Sequence, residues 1–157
     1  MSREQYRVLF VCMGNICRSP TAEGMFLKKI SDSGYLDKFE ADSCGTHQYH
    51  LGHAPDFRTQ EAAKNRGIDL SKLRARKIDY SDFEDFDLIL VMDKLNQRNL
   101  FDLCPDQYKN KIKLMLDYLP DETLEEVPDP YYGGEQGFEI VLDILDKATE
   151  ALIKDLT

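Results

Sequence analysis

The chain has no Cys-x2-Cys pair, no long apolar run and no excess of basic charge. Each absence excludes a class. Without paired cysteines at metal-ligand spacing, a zinc site is not expected. Four cysteines, Cys12, Cys17, Cys44 and Cys104, in a chain that is 42% hydrophobic do not suggest a disulfide framework either, because that composition supplies a core. No apolar stretch reaches the roughly 18 residues of a membrane-spanning helix. The segment Met1-Ser2-Arg3-Glu4-Gln5-Tyr6 lacks the apolar region of a secretory signal, so a cytoplasmic location and no membrane partner are expected. Lysine and arginine number 20 against 29 aspartates and glutamates, a net charge of −9, which argues against nucleic acid as a partner. Any anion must therefore be held by local groups and not by a basic face. There is no internal repeat, low-complexity tract or sign of a second domain, so residues 1–157 read as one domain.

What is present centres on Arg7-Val8-Leu9-Phe10-Val11-Cys12-Met13-Gly14-Asn15-Ile16-Cys17-Arg18-Ser19-Pro20. Val8 to Val11 does not alternate and is β-branched and aromatic, the pattern of a strand buried on both faces. Gly14 and Asn15 are the residue types that most readily take positive φ, so the segment after the strand can curl with its N–H groups inward. Ser19-Pro20 reads as a helix start, with Ser19 as N-cap and Pro20 in the first turn. Inward N–H groups at a helix N-terminus make an anion site, and their field favours the thiolate of Cys12 over the thiol. Arg18 offers a planar fork for two phosphate oxygens, and the Ser19 hydroxyl can donate to sulfur. The predicted cradle is Met13, Gly14, Asn15, Ile16, Cys17, Arg18 and Ser19. A nucleophile at its floor points to phosphoryl transfer through a cysteinyl-phosphate. A bare C-x5-R is a weak signal; here strand, Gly-Asn and Ser-Pro surround it. Cys17 shares the tight loop with Cys12, close enough for two readings: it traps oxidised Cys12 as a disulfide, or it only packs beneath the loop.

Further along, Ala22, Met25, Phe26 and Ile30 fall at helical spacing, with an end near Ser33-Gly34. Phe39 to Cys44 is a second strand candidate. Gly45 opens a loop with all three histidines, His47, His50 and His53. Their regular spacing invites a metal reading, but glycines at both ends argue against the helix that would place them on one face. The other reading is a wall beside the site, shaped by Tyr49. Ala54-Pro55-Asp56 starts a helix that stops at Gly67. Asp87 to Met92 is a buried strand, with Asp93 as N-cap of a helix through Leu100. Ile112 to Leu116 is the last strand. Leu119 to Pro128 is an acidic connection, and Phe138, Val141, Leu142, Leu145, Ala148 and Leu152 line one face of a long helix. Alternating strands and helices predict an α/β fold, a doubly wound parallel sheet with helices on both faces. Its ligand site is expected beyond the carboxyl ends of the strands, where Cys12 lies.

A phenolate leaving group needs a proton donor at neutral pH. Val127-Pro128-Asp129-Pro130-Tyr131-Tyr132-Gly133-Gly134 carries a carboxyl group braced by prolines and followed by two aromatics. From the residues alone, Asp129 is as much an ordinary turn residue as an acid.

The stretch Val11-Cys12-Met13-Gly14-Asn15-Ile16-Cys17-Arg18-Ser19-Pro20-Thr21-Ala22-Glu23 resembles the signature of the low-molecular-weight protein tyrosine phosphatases, and the resemblance covers essentially the whole chain. It implies four strands in the order 2-1-3-4 and Asp129 as general acid. It also implies a second cysteine, here Cys17, that protects the nucleophile. Ser43 would hydrogen-bond the loop asparagine, Asn15, and Tyr49, Tyr131 and Tyr132 would flank the substrate ring. The family often carries a histidine supporting that asparagine where this chain has Leu73. The implied reaction needs no cofactor or metal. It takes phosphotyrosine proteins or small aryl phosphates and releases inorganic phosphate. Three alternatives remain: an arsenate reductase of the same fold, which would need two further redox cysteines; a protein arginine phosphatase, which tends to carry threonine where Ile16 stands; and a non-catalytic phosphotyrosine-binding module.

Overall fold

Val8, Leu9, Phe10 and Val11 have no solvent exposure, because β1 (Tyr6–Cys12) is an inner strand covered on both faces. The computed structural model describes residues 5–119 and 123–157, without the side chains of Tyr132 and Glu135. The elements follow in order as α1 (Arg18–Asp32), β2 (Phe39–Gly45), α2 (Phe57–Lys64), α3 (Tyr80–Asp85), β3 (Leu88–Val91), α4 (Lys94–Leu103), β4 (Ile112–Leu114) and α5 (Glu135–Leu156). The sheet has the order β2-β1-β3-β4, and every pairing is parallel.

The pleat sorts β1 into two cores. Val8, Phe10 and Cys12 face the layer of α1, α2 and α5, where they meet Phe26, Ala63, Leu142 and Leu145. Leu9 and Val11 face the opposite layer, with Phe83 of α3 and Leu100 of α4. The chain leaves β1 to β2 on one side and returns to β3 on the other. The strand order therefore reverses at β1, and a crevice opens at its carboxyl end. Cys12 is the last residue of that strand.

Several boundaries differ from the sequence reading, each for a local reason. The N-cap of α1 is Cys17 and not Ser19; Ser19 lies inside the first turn, and its hydroxyl is used elsewhere. Pro55 precedes α2, whose N-cap is Asp56, accepting from the Arg58 N–H. The last strand stops at Leu114, and Met115–Tyr118 turns into a 3-10 segment. Helix α3 was not anticipated; at six residues it is too short to show a period, and its signal is a capping box of Asp79 with Asp82. α1 ends as expected, with Gly34 at φ +80° just beyond it. Pro120 to Glu122, within the acidic connection, lie outside the described residues.

Gly45 pairs with Cys12 in the β1–β2 register, and a Cβ there would stand 2.6 Å from the Met13 carbonyl oxygen and 3.1 Å from that of His47. Both are backbone atoms that cannot swing aside. Gly45→Ala should therefore destabilise the fold by about 1–3 kcal/mol, as overpacking does. It should also weaken phosphate binding by displacing Met13. Urea unfolding and phosphate titration check both; a variant as stable as the parent would contradict the fit.

Candidate active site

Cys12 to Arg18 form a tight loop between β1 and α1. Asn15 takes φ +58°, a conformation asparagine tolerates better than most residues. The Asn15 N–H donates to the Cys12 sulfur at 3.3 Å, and the Ser19 hydroxyl oxygen lies 3.0 Å from the same sulfur. The direction of the second bond follows from its surroundings. Asn15 Nδ2 donates to Ser19 Oγ at 2.8 Å, so that oxygen already serves as acceptor. When Cys12 is ionised its sulfur can only accept, so the Ser19 proton then goes to sulfur at 3.0 Å in preference to the Cys44 carbonyl at 3.4 Å. Cys12 is 3% exposed and thus reachable only at the floor of the loop.

The Asn15 side chain is fully engaged. Nδ2 also donates to Ser43 Oγ at 3.0 Å, and Oδ1 accepts the Arg76 N–H at 3.1 Å. The support of Oδ1 is thus a backbone N–H shortly after Leu73, and Leu73 itself packs against the core. Ser43 in turn donates to Glu23 Oε1 at 2.6 Å. Glu23 is buried, and burial pushes its carboxyl up to about 7; the Ser43 bond and Arg76 work in the opposite direction.

Arg18 is 5% exposed. Its Nη1 donates to Asp93 Oδ2 at 2.7 Å and to the Val127 carbonyl at 3.1 Å. Burial works to lower its pKa, but the Cys12 sulfur, Asp93 and Asp129 outweigh it and raise it, so the guanidinium stays charged. Asp93 is thus more than the N-cap of α4 (it accepts the Asn96 N–H at 2.8 Å), because its other oxygen aims Arg18. Val127 donates to the Met92 carbonyl at 2.8 Å. The segment leading to Asp129 is therefore anchored at once to the end of β3 and to Arg18. Asp129 is half-buried, and its Oδ1 accepts the Tyr131 N–H at 3.0 Å, capping a 3-10 turn over Pro130–Tyr132.

The remaining candidates divide. Gly14 is half-buried, Ile16 is buried, and Met13 is exposed at the rim. Cys17 is buried beneath the loop beside the hydroxyls of Thr59 and Tyr131, and burial pushes its thiol up to about 12. It stays a thiol at neutral pH. Tyr131 donates to Asp56 Oδ2 at 2.8 Å, and the Arg58 guanidinium stacks over the rings of Tyr131 and Phe138. Asp56 also donates its own N–H to the Ile16 carbonyl at 2.8 Å, so one residue ties the turn after Asp129 to the loop. Tyr49 is 70% exposed and stacks on His47. The Tyr132 side chain lies outside the described residues. Cys44 and Cys104 sit in the opposite hydrophobic layer from Cys12 and Cys17. Among the described residues, no group of three His, Cys, Asp or Glu is placed to hold a metal ion, and no helix is long and apolar enough to cross a membrane.

Sequence reasoning passed over Glu23, Asp56 and the second task of Asp93. For Glu23 a signal existed: Ser19, Ala22, Glu23, Phe26 and Ile30 share one buried helix face, so a carboxyl group falls on an apolar stripe. Its pKa is raised on folding, so the folded state holds a proton that the unfolded chain releases near pH 4.5. Stability from Glu23 is therefore present below that value and declines as pH rises toward 7, by on the order of 3 kcal/mol in total. Glu23→Gln, which keeps an acceptor for Ser43, should flatten the fall in unfolding free energy over that interval. An identical slope in parent and variant would contradict the assignment.

A family model described as low molecular weight phosphotyrosine protein phosphatase matches residues 7–157. The low molecular weight phosphotyrosine protein phosphatase of Schizosaccharomyces pombe is 45% identical over 133 residues, 84% of this chain and 85% of that protein. The low molecular weight protein-tyrosine-phosphatase of Bacillus subtilis is 40% identical over 149 residues, 95% of this chain and 94% of that one. The crystal structure of a protein tyrosine phosphatase from Entamoeba histolytica, with Hepes in its active site, superposes with a TM-score of 0.93 at 46% identity over 97% of each chain. The loop built on Cys12 and Arg18 thus sits in a matching sequence and a matching fold, and the chain belongs to the low molecular weight phosphotyrosine protein phosphatase family.

Proposed function

We propose that residues 1–157 act as one phosphatase domain that hydrolyses phosphotyrosine in proteins, and small aryl phosphates, through a cysteinyl-phosphate. The observation that carries this reading is the Cys12 sulfur receiving the Ser19 hydroxyl and the Asn15 N–H on the same loop as Arg18. Arg18 bonds the protein through Nη1, which leaves Nε and Nη2 for two phosphate oxygens. The sulfur attacks phosphorus in line, forming the S–P bond as the P–O bond to the tyrosyl oxygen breaks. Asp129, protonated for this step, gives its proton to the departing oxygen. Its Oδ1 accepts the Tyr131 N–H, which leaves Oδ2 to carry that proton. The ionised Asp129 then takes a proton from a water that attacks the same phosphorus. Inorganic phosphate leaves, and the Ser19 hydroxyl stabilises the sulfur anion as the S–P bond breaks. Catalysis is positioning plus charge stabilisation, with no cofactor.

The alternatives find less support. A disulfide relay for arsenate needs further cysteines near Cys12, yet Cys44 is wholly buried and Cys104 lies in the other layer. Ile16 stands where the arginine phosphatases tend to carry threonine. A pure binding module has no use for a carboxyl group aligned beside Arg18 and a sulfur fed by two donors. Cys17, buried near Cys12 with its thiol protonated, suits a resolving partner that captures oxidised Cys12 before over-oxidation. Peptide substrates without nucleic acid, acting in the cytoplasm, complete the reading.

General-acid help is worth roughly 10²–10⁴-fold. Asp129→Ala should lose about that factor on phosphotyrosine, lose less on aryl phosphates with acidic phenols, and flatten the basic limb of the pH–rate profile. A leaving-group series measures this. An unchanged basic limb and an unchanged dependence on phenol acidity would assign the proton to another donor.

A further inference from the structure

Thr123 to Asp129 form neither helix nor strand, and only Val127 and Asp129 are shielded from solvent. Such a segment has no ladder of its own to fix its position. Three consecutive residues instead fasten it to one stretch, Met92-Asp93-Lys94, where β3 gives way to α4. Val127 donates its N–H to the Met92 carbonyl at 2.8 Å. Glu126 Oε2 accepts the Lys94 N–H at 2.7 Å, and Lys94 Nζ donates to Glu125 Oε2 at 2.6 Å. Asp93, between these anchors, aims Arg18. The stretch that orients the arginine thus also holds the segment that leads to Asp129.

The three attachments differ in weight. The Lys94–Glu125 pair has both side chains more than half exposed, and such pairs contribute little. The Val127 bond is backbone to backbone and would form with almost any side chain. Glu126 is different. Lys94 is the first residue of α4, so its N–H has no partner inside the helix. Asp93 satisfies the Asn96 N–H with one oxygen and spends the other on Arg18. The Lys94 N–H is therefore met by a carboxylate from elsewhere in the chain, which gains both a charge-assisted bond and the field of the helix N-terminus. Val127 alone would act as a pivot. Glu126 adds a second fixed point one residue away, and two points set the direction in which the chain leaves toward Asp129. Pro128 and Pro130 restrict the backbone on either side of Asp129, so that direction is carried to the carboxyl group. We infer that Glu126 is a positioning residue for the general acid: its bond to the Lys94 N–H sets where Asp129 delivers its proton. This rests on the reading of Asp129 as proton donor above. A misplacement of about 1 Å can cost up to 10²-fold in rate. Loss of one exposed bond loosens the segment without detaching it, so it costs less.

The test measures kcat/KM for a series of aryl phosphates of decreasing phenol acidity. The proteins are the parent, Glu126→Ala, Glu126→Gln, Asp129→Ala, and Asp129→Ala combined with Glu126→Ala. Glu126→Ala should lose about three- to tenfold on phenyl phosphate, the scale of a lost helix-end bond, and clearly less on p-nitrophenyl phosphate, whose phenolate leaves with little help. Its inhibition constant for inorganic phosphate should stay near that of the parent, because Arg18 keeps Asp93. Glu126→Gln, whose amide oxygen can accept the Lys94 N–H, should recover most of the loss. In the Asp129→Ala background, Glu126→Ala should add no further loss. An unchanged rate, an equal loss on every ester, weaker phosphate binding in step with the rate, no recovery with glutamine, or an undiminished loss in the Asp129→Ala background would each overturn the role of Glu126 while leaving the acid in place. If Asp129→Ala itself left the dependence on phenol acidity unchanged, the acid assignment would fall first and this role with it.

Discussion

Everything in the site hangs on one side chain. Asn15 holds a backbone conformation at φ +58° that curls the loop, and its amide spends each of its polar atoms on keeping it there. It donates to Ser19 and Ser43 and accepts from the Arg76 backbone. These bonds join the loop after β1 to the first turn of α1, to β2 and to the segment before α3, the last two distant in sequence. A buried, satisfied network of this kind rigidifies, because each unmade bond would cost the full desolvation of its group. Its chemical product is directional: it turns the Ser19 hydroxyl into a donor aimed at sulfur.

A second constraint is charge. The protein is strongly acidic, yet it holds an arginine almost out of water beside the Cys12 sulfur. It does so by surrounding Arg18 with Asp93, Asp129 and a carbonyl oxygen. Burying a guanidinium is tolerable only with such partners. The same contacts fix the fork's orientation and moor the segment that leads to Asp129. Binding, aiming and the placement of Asp129 therefore cannot be varied separately; a change at Asp93 or Val127 is felt by all three.

The long, unalternating runs Val8–Val11 and Leu88–Val91 were legible as buried strands because both faces of the sheet are covered. The tight loop after β1 was legible because the strand end and Gly-Asn are local signals. The strand order came from family resemblance, since no local pattern states which strand lies beside which. Ser19 misled for a physical reason: serine before proline is a good cap, but here the hydroxyl has better partners in Asn15 and Cys12. What stayed hidden depends on contacts between distant segments. Arg76 supports Asn15 through its backbone N–H, which carries no sequence signature at all. Asp56 and Tyr131 meet across 75 positions of sequence. Asp93 was read correctly as a cap, and one good local explanation concealed a second function.

The central claim is that Asn15 acts on Cys12 through Ser19, and a double-mutant cycle measures it directly. Asn15→Gly keeps the positive φ accessible while removing the amide, and Ser19→Ala removes the hydroxyl. With breakdown of the cysteinyl-phosphate followed by rapid quench, each single variant should slow that step, and the double variant should be little slower than either alone. Strictly additive losses would contradict the account, because they would mean that the two side chains reach the sulfur by independent routes.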